Sequence, residues 1–181
     1  MDNPDVFSIR ICLEHGDGFV LKPIGFVRHS YSDEDLRRSP HGVDASIEIL
    51  PEFAEGLEGL EGFSHIIVVS FLHKSDRKLL KVKPRRLRRF GIPEDELPVV
   101  GVFSTDSPLR PNPIAVSVVR LLSVEGRFLH ISGCDLFNGT PVLDIKPVTG
   151  DKAPRDVVFP RWYLDLVERV RSISGVELDH I

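Results

Sequence analysis

The chain has 181 residues, 41% hydrophobic and 28% charged, the balance of an ordinary globular protein with apolar side chains enough for one sizeable core. Its formal net charge of −4 excludes a uniformly basic nucleic-acid binder, and no run approaches the roughly 18 uninterrupted apolar residues that a membrane span requires. Asp2, Asp5 and Arg10 stand where a signal peptide needs an apolar stretch, so a cytoplasmic protein is expected.

Taken in chain order, Phe7, Ile9, Ile11 and Leu13 alternate with more polar neighbours, the period of a half-buried strand. Gly16-Asp17-Gly18 supplies turn chemistry before an extended pattern resumes from Phe19 to Val27, which together predict an N-terminal hairpin. From Arg28 to Gly42 the chain is polar and punctuated, a loop with one helical turn near Asp33 to Arg38. Ala45 to Leu50 reads as a short strand, and Pro51 to Leu60 as a brief helix with proline at its first position and Gly62 as its stop. Phe63 to Leu72 is apolar and rich in β-branched residues, the best candidate for a central strand.

A basic run follows: Lys74, Arg77, Lys78, Lys81, Lys83, Arg85, Arg86, Arg88 and Arg89 are opposed only by Asp76. Such a run can hold phosphates; the alternative is a solvated face balanced by Glu94, Asp95 and Glu96. Val99 to Phe103, Ile114 to Val124, Phe128 to Gly133 and Pro141 to Val148 add short strands separated by Gly, Pro and Asn. Near the end Trp162, Tyr163, Leu166, Val167 and Val170 fall on one face at helical spacing. The fold class expected is mainly β with α: a small antiparallel β-barrel with short helices and a C-terminal helix. Residues 1–150 would form the barrel domain with its hairpin extension, and 151–181 a C-terminal helical segment.

Several familiar chemistries are missing. There is no phosphate-loop pattern and no nucleophile elbow, and Gly56, Gly59 and Gly62 precede a strand instead of opening a helix after one. Cys12 and Cys134 are far apart and lack a CxxC partner, which indicates neither a zinc site nor a disulfide framework but two reduced, buried thiols. His65 and His73 could share a strand face, yet no metal is expected.

Two stretches are more specific than core packing requires. In GVFSTDSPLRPNPIAVS, Gly101 to Ser117, the prolines Pro108, Pro111 and Pro113 forbid a helix and impose a stiff loop. Arg110 and Asn112 lie between them and suit recognition of a purine; alternatively they satisfy backbone carbonyls of a proline-fixed turn. In SGCDLFNGTPVLDIKP, Ser132 to Pro147, Asn138-Gly139 makes a tight turn flanked by Asp135, Asp144 and Lys146, the last two a possible surface pair.

Together the two stretches resemble the TsaA-like family, also known as TrmO, whose pattern is close to GVFATRSPxRPNPIGLS followed by DxLDGTPVLDIKP. EGLEGLEGFSHIIVVSFLHKSDR, Glu55 to Arg77, is similar to a further family segment, and the likeness runs from about Pro23 to Pro147. The resemblance implies a β-barrel homodimer that binds S-adenosylmethionine near the subunit interface and methylates the exocyclic amine of a threonylcarbamoyl-modified adenosine in the tRNA anticodon loop. By position it implies cofactor contacts from His41, His73, Lys74, Asp106, Val116, Asp135, Leu136, Asn138, Gly139 and Thr140, with Arg110 and Asn112 orienting the target adenine and the basic run holding the RNA backbone. Asp106 stands where the pattern has a cofactor-contacting arginine, Ala115 where it has glycine, and Asn138 where it has aspartate. Two rival readings are a nonenzymatic S-adenosylmethionine sensor on the same fold and an RNA-binding module without cofactor.

Overall fold

A computed structural model describes residues 9–11, 19–152 and 156–178. The strands are β1 (Ile9–Ile11), β2 (Phe19–Leu21), β3 (Gly25–Arg28), β4 (Val43–Ile49), β5 (His65–Phe71), β6 (Lys81–Val82), β7 (Val100–Gly101), β8 (Ile114–Glu125), β9 (Phe128–Cys134) and β10 (Pro141–Pro147). The α-helices are α1 (Asp33–Arg38) and α2 (Arg161–Ser174). By compactness the chain falls into two units, residues 1–73 with 114–148 and residues 74–113 with 149–181.

In the first unit six strands close into a barrel in the order β10-β3-β4-β9-β8-β5, every neighbour antiparallel. The period-two pattern explains the closure. Ile66 and Val68 of β5, Ile47 and Ile49 of β4, Leu129 and Ile131 of β9 and Val119 of β8 all point inward and are buried, while their strand neighbours face out. β5, the apolar run expected to be central, sits between β8 and β10, in register with β8 from His65 opposite Arg120 to Phe71 opposite Ile114. The expected N-terminal hairpin is present as β1 paired with β2; its Gly16-Asp17-Gly18 turn lies outside the described residues, as does Cys12. The helical turn expected near Asp33 is α1, capped by the Ser32 hydroxyl on the Asp35 amide and carrying three acids at its positive end.

Two expected elements take other forms. The brief helix after Ile49 is a 3-10 helix, Pro51–Leu57, which buries only Leu57 and so has no second apolar row to extend it. The strand expected over Val99 to Phe103 shortens to β7, paired with β6. Val102 is fully buried and its amide donates to the Leu80 carbonyl, which turns the chain into a 3-10 helix, Val102–Ser104, and leaves Phe103 79% exposed.

The second unit has its own core. A 3-10 helix, Arg85–Phe90, carries Leu87 and Phe90 three residues apart on its buried side, which places Arg85 and Arg88 outward and leaves Arg89 partly buried over the Phe90 ring. Ile92, Leu97, and Leu166 and Val170 of α2 complete that core, with Trp162, Tyr163 and Val167 half-buried against it. Among the described residues no helix is long and apolar enough to cross a membrane.

Candidate functional site

The residues the sequence singles out fall in both units, and each group is built by its own elements. On the barrel, β9 ends at Cys134 and the chain turns through Asp135 to Thr140 into β10. This turn is held from several sides. The Gly139 amide donates to the Val27 carbonyl at 2.8 Å, the Val27 amide to the Thr140 carbonyl at 3.0 Å, and the Thr140 amide to the Phe137 carbonyl at 3.1 Å. Gly139 has φ of 79°, a conformation that glycine adopts without steric cost, and the Asn138-Gly139 turn was legible on that ground.

His29, a residue the sequence reading passed over, packs into the same turn. Its backbone amide donates to Asn138 Oδ1 at 3.2 Å, and its Nε2 lies 3.0 Å from the Leu136 carbonyl. A carbonyl can only accept, so Nε2 carries a hydrogen, and in the neutral imidazole Nδ1 then presents a lone pair. That Nδ1 is buried and has no partner among the described residues. Only its two long-range partners, the Asn138 side chain and the Leu136 carbonyl, reveal this histidine, and no spacing in the sequence signals it.

The Pro40-His41-Gly42 corner sits against the end of β9. Gly42 has φ of 72°, and a Cβ there would lie 2.5 Å from the Gly133 carbonyl carbon and 2.7 Å from the Cys134 oxygen, so only glycine fits. The Ser39 hydroxyl donates to the Gly42 carbonyl and closes the corner. This close approach brings exposed His41 beside the strand that feeds the 135–140 turn. On the next strand, the Ser117 hydroxyl donates to Asp135 Oδ1 at 2.9 Å, with Val116, 67% exposed, on the outer face beside it. The rim thus gathers His29, His41, Val116 and the 135–140 turn. Beneath it Cys134 is buried, and burial pushes its thiol up to about 11, with the Asp135 charge adding to the effect, so it is a packing group and not a nucleophile. Further along β10, Lys146 Nζ lies 2.6 Å from Asp144 Oδ2, both half exposed, which is the surface pair anticipated. His73 follows the end of β5 at Phe71, so it shares no strand face with His65.

In the second unit the proline-braced loop is knitted by its own hydroxyls and by Arg110. The Thr105 hydroxyl donates to the Val102 carbonyl at 3.0 Å and accepts from the Ser107 amide at 3.2 Å. Ser75 donates to the Pro108 carbonyl at 2.6 Å, and the Leu79 amide to the Leu109 carbonyl at 2.8 Å. Arg110 sends Nε to the Ser107 carbonyl at 3.0 Å and Nη2 to the Val102 carbonyl at 3.3 Å and the Thr105 carbonyl. Asn112 and Asp106 are exposed, and Lys74 opens the unit as an exposed residue. The basic run divides. Arg85 and Arg88 both pair with Glu94, at 2.8 and 3.0 Å, and Lys83 Nζ donates to the Glu94 carbonyl. Arg77, Lys78 and Lys81 are exposed and have no ion pair among the described residues. Those residues also contain no group of three His, Cys, Asp or Glu arranged to hold a metal ion.

Residues 32–151 match the family described as tRNA-methyltransferase O N-terminal domain. The chain is 37% identical to a probable S-adenosyl-L-methionine-binding protein of Pyrococcus abyssi, over 78% of this chain and 74% of that protein. It is 34% identical to the human tRNA (adenine(37)-N6)-methyltransferase, over 84% of this chain but 35% of that one. Among solved structures it resembles TrmO from Pseudomonas aeruginosa with a TM-score of 0.55 and 34% identity, covering 76% of this chain and 60% of that one. The chain therefore spans about three-fifths of that solved structure and about a third of the human enzyme.

Proposed function

Because this chain belongs to the family of the tRNA-methyltransferase O N-terminal domain, we propose that it transfers a methyl group from S-adenosylmethionine to an adenosine of tRNA. The finer assignment is the exocyclic amine of a threonylcarbamoyl-modified adenosine in the anticodon loop. The observation that carries the reading is the barrel rim, where the 135–140 turn, His41, Val116 and the buried Nδ1 of His29 come together.

The rim's chemistry fits a sulfonium nucleoside with an amino-acid tail. An orphaned buried acceptor on His29 calls for an N–H or O–H donor, since leaving it unpaired costs free energy. Asp135 offers an exposed carboxylate to a cationic or hydroxyl-bearing group, and Val116 offers apolar surface. The proposed cofactor-holding set is His41, Val116, Asp135, Leu136, Asn138, Gly139 and Thr140, with His73 and Lys74 added by resemblance. When bound, S-adenosylmethionine supplies a methyl group whose bonding pair returns to sulfur as the amine nitrogen is alkylated and loses a proton. The chain's own contribution is positioning, through a turn fixed by three backbone hydrogen bonds and a loop stiffened by prolines. Arg110 braces that loop, exposed Asn112 meets the target adenine, and Arg77, Lys78 and Lys81 take phosphates.

The outer face of β8 supports a homodimer, because Val116, Val118 and Leu122 are 67, 61 and 54% exposed along one strand. A second reading, a sensor that binds the cofactor without transferring its methyl group, is favoured by the commitment of Arg110 Nε and Nη2 to loop carbonyls. Incubation with methyl-labelled S-adenosylmethionine and tRNA with or without the threonylcarbamoyl group separates the readings. Label on the modified adenosine is the expected result. Label on unmodified adenosine alone would overturn the finer assignment, and saturable cofactor binding with no labelled nucleoside would establish the sensor.

A further inference from the structure

The turn after β7 and the start of α2 enclose a cleft of about 560 Å³ within the second unit. Half of the residues lining it are aromatic. Phe159 and Tyr163 stack with centroids 4.9 Å apart and planes 12° apart, and Trp162 meets Tyr163 edge-on at 5.7 Å. Phe103 faces the same cleft with 79% of its surface open to water, a large apolar ring that no neighbour covers. Ser104, Thr105 and Asp106 add polar groups to the lining, Asp106 its one ionised group, and an ionised carboxylate only accepts hydrogen bonds. The aromatic wall from α2 lies beyond residue 151, outside the part of the chain that matches the family.

We infer that this cleft receives one unpaired, amino-bearing base of the RNA, adenine foremost, stacked on Phe103 and on the aromatic wall, with its exocyclic amine donating to Asp106. The inference rests on the chain's acting on RNA. Aromatic faces recognise the flat surface of any base, and an acceptor-only group selects those that present an N–H. Adenine, cytosine and guanine carry an exocyclic amine; uracil has none and flanks its single ring N–H with two carbonyl oxygens that the carboxylate repels. An aromatic cleft with one carboxylate also suits an organic cation, but the charge of the unit opposes that occupant. Residues 74–113 and 149–181 hold 15 Lys and Arg against 11 Asp and Glu, whereas the barrel unit holds 8 against 16. A polyanion is drawn to the unit that bears the cleft, and a cationic peptide is not. The replacement of the family's arginine by Asp106 is then a change of recognition chemistry at this loop.

Trp162 is the protein's single tryptophan, so its emission reports the cleft alone. The full chain is titrated at low salt with oligoadenylate, oligouridylate of equal length, S-adenosylhomocysteine and an arginine-rich peptide, with mobility shift read in parallel. Saturable quenching by oligoadenylate is expected, at least about fivefold tighter than by oligouridylate. Phe103→Ala, at an exposed position that leaves both cores intact, should weaken oligoadenylate by about tenfold, and Asp106→Ala should erase the preference over oligouridylate while quenching persists. RNA that shifts in the gel without quenching Trp162 overturns the inference, as does quenching indifferent to both substitutions. Quenching by S-adenosylhomocysteine that competes with the oligonucleotide would make the cleft a cofactor site, and quenching by the peptide alone a protein-binding site. Methyl transfer without quenching would sink this cleft and spare the proposed activity; quenching without transfer would do the reverse.

Discussion

At the scale of single residues, glycine and arginine set the site's shape. Gly42 meets two backbone groups of β9 closely, so Gly42→Ala should lower stability by about 2 kcal/mol or more and displace His41; thermal unfolding measures the first effect. Sequence reading marked Gly42 only as punctuation, because the β9 backbone that it approaches lies far along the chain. Arg110 illustrates the opposite case. Its position between prolines admitted either ligand recognition or carbonyl satisfaction, and its Nε and Nη2 take the latter role. Away from the site, Glu48 on β4 accepts from Arg28 Nε at 2.7 Å and from Arg127 Nη2 at 2.6 Å. The Arg28 hydrogen bond chiefly, opposed by desolvation and aided by Arg127, holds its carboxyl below the usual range. A depressed folded-state value means stability that is present above the unfolded carboxylate pKa of about 4.3 and is lost as pH falls through the lowered value. Glu48→Gln should therefore cost about 1 kcal/mol at pH 7, and its stability should converge with that of the parent as the pH falls through the lowered value.

At the scale of elements, the barrel strands were legible because alternation and β-branching coincide in them. β8, β9 and β10 begin and end within two residues of their expected bounds. Of the 3-10 segments, Pro51–Leu57 was legible as a longer helix through its leading proline, whereas Val102–Ser104 was not, since a single buried residue such as Val102 leaves no period to read. The basic run was open to two readings: Glu94 neutralises Arg85 and Arg88, as a balanced face requires, while Arg77, Lys78 and Lys81 stay exposed, and salt dependence decides whether they hold phosphates. Binding of tRNA should weaken steeply with salt, and Lys78→Ala with Lys81→Ala should reduce the slope of log affinity against log salt by about 1 to 2; an unchanged slope would remove these lysines from the RNA surface. In α2, Leu166 and Val170 are the buried row of the amphipathic stripe anticipated from spacing. Leu166→Ala should destabilise the second unit by about 2 to 4 kcal/mol.

At the scale of the whole molecule, composition concealed a division of charge. The formal net charge of −4 is the balance of an acidic barrel unit and a basic second unit, and the second is assembled from two separate stretches of chain. The positive charge lies in the window that leaves the barrel between β5 and β8, where residues 74–113 hold 10 Lys and Arg against 5 Asp and Glu, and residues 149–181 join it in the same unit with 5 against 6. The exposed valines of β8 make a prediction at this scale: Val118→Glu should convert the proposed dimer to a monomer in sedimentation analysis while leaving the fold intact, as the side chain is 61% exposed, and a parent protein that sediments as a monomer would remove the dimer. The central claim, that the barrel rim is the cofactor site, is tested most directly by calorimetric titration of S-adenosylhomocysteine into the protein and its Asn138→Ala and Phe103→Ala variants. Saturable binding weakened about tenfold by Asn138→Ala and untouched by Phe103→Ala is predicted. Absence of binding heat across a range of temperatures, or affinity insensitive to Asn138, would contradict it.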